Sequence, residues 1–192
     1  MASERALRAR FYEEVTEDLK AEFINGTVVK HSPVKDRHLA VRDSLHELLR
    51  TFCRVHRLGT VRGEKALCTF PRNDYEPDVV FFGPAKASLI EPTTMKFPIP
   101  DFICEVLSPS TELYDRGVKF RDFEAHGVGE YWLIDPERDT LEQYLLRDGS
   151  YELALKSGSG DVASTVVPGF RIPIPALFDD QENLRVLRSL LA

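Results

Sequence analysis

No run of about 18 apolar residues occurs anywhere in this sequence, so no segment is expected to cross a bilayer as a helix. The opening MASERALRARFYEEV likewise has no apolar centre of the kind a signal peptide needs, and a cytoplasmic protein is expected. Cysteine is scarce: Cys53, Cys68 and Cys104 are an odd number and share no C-x-x-C spacing. That argues against a disulfide framework and a thiolate zinc site, and leaves three small buried hydrophobes. Internal repeats and low-complexity tracts are missing too. What remains is one expected domain, residues 1–192, with 43% apolar residues from which to build a core.

Excess positive charge is also missing, since the formal net charge is −6. The average conceals one segment. Between Lys30 and Lys65 nine Lys/Arg stand against four acids, and His31, His38, His46 and His56 lie there as well. Arg50, Arg54 and Arg57 are the candidates to face phosphate in a nucleic acid; a solvated helix face is the plainer reading of the same residues.

The coarse pattern is a mixed α/β one. EFINGTVVKH (22–31) reads as a hairpin turning at Asn25-Gly26, and a helix should run from Ser32-Pro33 to about Gly59. Its buried stripe is Val41, Leu45, Leu48, Leu49, Phe52 and Val55, with His38 one turn earlier on the same stripe. PRNDYE reads as a turn before the apolar strand Val79–Phe82. DFICEVL is a second core strand, Ser110 or Thr111 offers an N-cap, and a helix closes at Gly127 despite Gly117. EYWLIDP is a further strand, LEQYLLRDGSYELAL a hairpin at Asp148-Gly149, and 157–164 a polar loop. PGFRIPIPALF then reads as extended, with a short helix near 181–191. Strands and helices in this order predict a mixed sheet with a helix on each face.

Two acids sit where apolar strands should be buried. Asp78 directly precedes VVFF, and Glu105 lies between Cys104 and Val106. A charge taken out of water without a partner costs several kcal/mol, so such acids need a reason. If the strands are neighbours, Asp78 and Glu105 could converge on one Mg²⁺ or Mn²⁺, with the Val106 carbonyl as a further oxygen. Asp115 and Lys119 are four apart on the next helix, so the Lys119 ammonium could reach the same pocket. Each acid also has a plainer reading: Pro77-Asp78 as a turn, Asp115 and Lys119 as an exposed ion pair worth ~0.3–0.5 kcal/mol.

Taken together, EFINGTVV, EPDVVFFG, ICEVLSPST with the later Asp115, Arg116 and Lys119, GVGEYWLIDPE and the terminal PGF, IP and LF resemble the Uma2 (Uma-two) family in order, over about 20–178. That family lies within the restriction-endonuclease-like PD-(D/E)XK superfamily. The resemblance implies a mixed β-sheet core flanked by helices, with additional hairpins. It implies catalytic roles for Asp78, Glu105 and Lys119, and a metal held by Asp78 and Glu105, beside the Val106 carbonyl already noted. The superfamily pattern places its lysine two residues after the acid; here that residue is Leu107, and the resemblance suggests migration to Lys119. Glu22 stands where the family has an acid; Glu22, Asp115 and His38 are further candidates for a ligand or a supporting group. Gly129 and Phe123 depart from the family's usual proline and tyrosine at positions that concern packing.

The expectation is therefore a Mg²⁺- or Mn²⁺-dependent nuclease acting on nucleic acid, DNA foremost, with no membrane partner and a homodimer as an allowed assembly. Its alternatives are an inactive nuclease-fold protein that binds nucleic acid or regulates, and an oligomeric scaffold whose acids only cap strands.

Overall fold

The structure, a computed structural model, describes residues 3–15, 21–30 and 33–191. In chain order its elements are α1 (Glu4–Glu14), the hairpin β1 (Ala21–Ile24) and β2 (Thr27–Lys30), and the long helix α2 (Asp36–His56). There follow β3 (Thr60–Gly63), β4 (Leu67–Thr69), β5 (Asp74–Tyr75), β6 (Val79–Phe82), the single turn α3 (Pro84–Ala87), β7 (Lys96–Phe97) and β8 (Phe102–Val106). A composite helix comes next: α4 (Glu112–Tyr114), a π-helical turn over Asp115–Lys119, and α5 (Phe120–Ala125). The chain ends with β9 (Glu130–Asp135), β10 (Thr140–Arg147), β11 (Ser150–Ser157), β12 (Asp161–Ala163), β13 (Arg171–Pro173), a 3₁₀ turn (Ile174–Leu177) and α6 (Asp180–Leu190).

The described residues form a six-stranded mixed sheet ordered β11-β10-β9-β8-β6-β3, a five-stranded sheet β2-β1-β5-β4-β7, and the small pair β12-β13. In the six-stranded sheet β8 and β9 run parallel while the other neighbours are antiparallel. Strand alternation sorts side chains onto two cores. Val79 and Phe81 of β6 and Phe102, Cys104 and Val106 of β8 pack under α2, against Leu45, Leu48, Leu49 and Phe52. Val80, Phe82, Ile103 and Leu107 take the opposite face, with Phe123 of α5 and Tyr131 of β9. By the same parity Asp78 and Glu105 belong to this second face, beneath the composite helix.

Both hairpins turn as their dipeptides require. Asn25 and Gly26 have φ of 48° and 82°, and Asp148 and Gly149 have 50° and 84°, the paired positive values of a type I′ turn. His31 and Ser32, read as the end of the first hairpin and the break after it, lie outside the described residues. All three cysteines are free and buried.

Several expectations need correction. Val55 is 48% exposed; Cys53 closes the buried stripe of α2, because Val55 falls on its far edge at the last turn. The left-handed residue that ends α2 is Arg57 at φ 54°, not Gly59. Gly59 is needed for another reason: with φ of 145°, a Cβ there would stand 2.2 Å from the Phe82 carbonyl oxygen. The PRNDYE segment is not all turn, for Asp74–Tyr75 is a buried strand. A polar pair can be buried there because Arg8 and Tyr12 of α1 both donate to the Asp74 carboxylate. Helix α1 itself has no counterpart in the sequence reading: its one buried side chain, Phe11, makes no periodic stripe. Thr111 is the N-cap of α4, without a capping side-chain hydrogen bond, and the supposed loop 157–164 contains β12.

One buried carboxylate organises the C-terminal third. Glu130 is fully buried, and its oxygens accept from Trp132 Nε1 (2.6 Å), Gln143 Nε2 (2.7 Å), Ser164 Oγ (2.7 Å), Thr165 N (2.9 Å) and Val166 N (3.1 Å). With Thr165 Oγ1 at 3.3 Å, six donors converge on one carboxylate, satisfy a charge that would otherwise be prohibitive, and clamp the 164–167 segment to β9. Glu130→Ala leaves those buried donors without an acceptor and is expected to cost ~3–5 kcal/mol in urea denaturation. A loss below ~1 kcal/mol would show that the segment finds other acceptors and that Glu130 is not its clamp.

Candidate active site

The antiparallel register of β6 and β8 pairs Val79 with Cys104 and Val80 with Ile103, so one step further Asp78 stands opposite Glu105. The two are tied through the backbone. The Val106 amide donates to Asp78 Oδ2 at 2.9 Å, and the Asp78 amide donates to Glu105 Oε2 at 3.3 Å. Their exposures are 5% and 4%, so this is a pair of carboxylates on neighbouring strands held away from water. Like charges directly opposite on a sheet repel, which is tolerated only where something positive stands close.

That cation is Lys119. Its ammonium lies 2.9 Å from Glu105 Oε1, 3.0 Å from Glu22 Oε1 and 3.1 Å from Asp115 Oδ1, and the side chain is 2% exposed. Glu22 comes from β1 of the other sheet, and its Oε1 also accepts from the Glu76 amide at 2.9 Å. The π-helical turn explains how Asp115 and Lys119 both reach inward. It widens one turn of the helix, and Tyr131 Oη donates to the Asp115 carbonyl at 3.1 Å. On the outer side Arg116 grips Glu142 of β10 with two guanidinium nitrogens, at 2.7 and 3.0 Å, so the turn is fastened on both flanks.

Electrostatics follow from this crowding. Burial raises the Glu105 carboxyl well above the usual range, the Lys119 charge opposes that, and Asp115, Asp78 and Glu22 add to it. Burial alone would lower Lys119, but Glu105, Glu22 and Asp115 hold it well above the ordinary lysine value. Acid and base shift in the same direction because the site attracts positive charge. Lys119 is accordingly an ammonium, a donor and a counter-charge rather than a base.

The remaining sequence candidates fall on both sides of this pocket. His38 is buried on α2 with Nε2 3.5 Å from Asp78 Oδ2, and its Nδ1 has no hydrogen-bond partner among the described residues. Arg50, Arg54 and Arg57 are exposed and not gathered with the acids: at 1.5 Å per residue they lie roughly 18 Å or more along α2 from His38. The cations that line the pocket besides Lys119 are Lys30 and Lys65, which sequence reasoning did not single out. It also passed over Glu76, buried two residues before Asp78, and Tyr114. Strand parity would have placed Glu76 with Asp78; nothing in the sequence marks Tyr114.

The pocket has a volume of about 510 Å³, with Glu22, Asp78, Glu105, Asp115 and Lys119 among its walls and Ser108, Ser110 and Thr111 beside them. Among the described residues no three His, Cys, Asp or Glu side chains stand in a metal-ligating group, because Glu22, Glu105 and Asp115 turn toward the Lys119 ammonium. The donor set nonetheless suits a hard divalent cation. It consists of carboxylate oxygens in a site where burial drives Glu105 and Asp115 toward protonation, and a cation answers that demand as a proton does.

Two measurements probe this architecture. Lys119→Met without added metal strands three buried carboxylates, so stability at pH 7 should fall by ~3–5 kcal/mol, and the deficit should shrink as acid protonates them. Equal urea midpoints for both proteins at pH 7 would mean the cluster is not ionised as described. Glu142 supplies a second check. Burial would raise its carboxyl, but hydrogen bonds from Arg116, Lys156 and Tyr144 hold it down to about 2. A depressed carboxyl stabilises the fold fully above the ordinary glutamate value of ~4.3 and loses that contribution as pH falls toward the folded value. The stability gap between wild type and Glu142→Gln should therefore be constant above pH ~5 and close on approaching pH 2.

The family described as "Putative restriction endonuclease" (Uma2) matches residues 8–175. A solved structure from Anabaena variabilis ATCC 29413, described as "a putative nuclease belonging to DUF820", superimposes with a TM-score of 0.76 at 20% identity. The match covers 93% of this chain and 98% of that one, so the fold is shared: a restriction-endonuclease-like mixed sheet flanked by helices. No curated protein matches the chain. Among the described residues no helix is long and apolar enough to cross a membrane.

Proposed function

The chain belongs to the Uma2 family, and on that premise we propose that it is a metal-dependent nuclease of the PD-(D/E)XK type, hydrolysing phosphodiester bonds in nucleic acid, DNA foremost. One observation carries the reading. A buried ammonium, Lys119, stands 2.9 Å from the Glu105 carboxylate in the pocket that also holds Asp78, so the superfamily's two acids and one lysine meet although the lysine comes from the helix. Leu107, at the pattern's usual lysine position, is instead part of the apolar core.

Asp78 and Glu105, with the Val106 carbonyl, would hold Mg²⁺ or Mn²⁺. When bound, such an ion polarises the scissile phosphate and lowers the pKa of water. The chain's own groups do the rest. Lys119, kept protonated by its carboxylate neighbours, donates hydrogen bonds to an attacking water or a phosphate oxygen and offsets the negative charge that grows there. Glu22 and Asp115 hold that ammonium in place, and His38 steadies the Asp78 carboxylate from the α2 side. Arg50, Arg54 and Arg57, remote from the pocket, would meet phosphates on a flank of the substrate rather than the scissile one. Crowded carboxylates give Lys119 its charge and its direction.

The test is incubation of the full chain with single- and double-stranded DNA and RNA, with Mn²⁺ or with chelator. Metal-dependent cleavage is expected, falling ~10²–10³-fold in Glu105→Gln. Mn²⁺ at a hundred times its dissociation constant should also stabilise the wild type by ~2.7 kcal/mol, and Asp78→Asn much less. Metal stabilisation without turnover of any substrate would leave a nuclease-fold binding or regulatory protein. No stabilisation and no cleavage would mean that the metal site as drawn is wrong.

A further inference from the structure

Tyr114 stands apart from every other tyrosine in the chain. Of the six, Tyr12, Tyr75, Tyr131, Tyr144 and Tyr151 each commit the hydroxyl to a hydrogen bond and the ring to an aromatic neighbour. Tyr114 makes neither contact among the described residues, is 39% exposed, and lines the pocket one residue before the π-helical turn. Leu113 beside it is 87% exposed. Val29, Pro33, Val34 and Leu39 add apolar surface to the same pocket. A part-exposed aromatic ring without an aromatic partner, in a pocket with apolar surface, is the form of a stacking platform for a base.

Depth points the same way. Asp78, Glu105 and Lys119 are each 5% exposed or less, at the bottom of a pocket of about 510 Å³. That volume lies within the ~300–1,000 Å³ that encloses a drug-sized ligand, the scale of a single nucleotide rather than of a duplex. Nor does the mouth supply a duplex-gripping array of cations: the lysines lining the pocket above Lys119 are Lys30 and Lys65, in a chain of net charge −6.

Resting on the nuclease reading above, we propose that the substrate is single-stranded nucleic acid, one nucleotide of which enters the pocket with its base stacked on Tyr114. Lys30 and Lys65 then meet the phosphates on either side of the mouth. Stacking accepts any base, so the site selects strandedness rather than sequence.

Fluorescence anisotropy tests this with Glu105→Gln full-length protein in Mn²⁺ and end-labelled oligonucleotides of equal length: single-stranded DNA, single-stranded RNA and blunt duplex DNA. One of the single strands should bind at least ~10-fold more tightly than duplex, and the preferred one identifies the sugar. Tyr114→Ala should weaken that strand's binding by ~5- to 100-fold while Tyr114→Phe retains it, since the ring and not the hydroxyl stacks. Wild-type cleavage of the same three substrates is the parallel readout. Duplex bound and cut as well as either single strand, or a Tyr114→Ala protein that binds like its parent, overturns the single-strand proposal and leaves the nuclease reading standing. If none of the three is bound or cut, both fall.

Discussion

A lysine ammonium can be buried only where counter-charges accompany it, and the Lys119 cluster imposes that condition on three separate parts of the chain. Glu22 arrives from β1 of one sheet, Glu105 from β8 of the other, and Asp115 from the helix that bears Lys119 itself. None of the three acids is tolerable there without the ammonium, and the ammonium is not tolerable without them. The cluster thus sets where the two sheets and the composite helix meet. It also makes the pocket deep, because groups that must share charge at about 3 Å cannot also be spread over an open surface.

Around the cluster, position is secured by groups that play no part in its charge. The Val106 amide donates to the Asp78 carboxylate and the Asp78 amide to the Glu105 carboxylate, and this pair of bonds locks the strand register. Tyr131 holds the carbonyl end of the π-helical turn, and Arg116 with Glu142 fastens its outer side. Glu130, with its six donors, clamps the 164–167 segment to β9, the strand that also carries Tyr131. Charge-assisted bonds of this kind are directional, so they fix orientation where apolar contacts alone would permit sliding.

On the proposed reading, in which Lys119 serves where the superfamily pattern has a lysine after Val106, the presence of Leu107 at that position is understandable in packing terms. Leu107 points to the face occupied by Ile103, Phe123 and Tyr131, and keeping it apolar preserves a core that a lysine stem with a charged head would disturb. From Lys119 the ammonium approaches the same Glu105 carboxylate from above the sheet. The helix that delivers it also carries Tyr114 to the pocket mouth, so one element supplies a charge at the floor and an aromatic face at the rim.

Local patterns determined much of this. Asn-Gly and Asp-Gly turns, the 3–4 spacing along α2 and the apolar runs of β6, β8 and β9 were legible in the sequence because each depends on neighbours within a few residues. The same holds for the oddity of Asp78 and Glu105, acids set against strands that had to be buried. Helix α1 and strand β5 were not legible, since their stability comes from the Arg8–Asp74 contact across 66 residues rather than from any periodicity. The inward turn of Lys119 was expected from the sequence and the family resemblance, although as a bare i, i+4 pair with Asp115 it had the plainer reading of solvent-exposed charge. The sequence determined which residues could carry metal chemistry. Only the tertiary structure decided that Glu22 faces the Lys119 ammonium, that Arg50, Arg54 and Arg57 lie away from it, and that Tyr114 lines the same pocket, because burial and convergence are properties of elements distant in the chain and cannot be read from spacing.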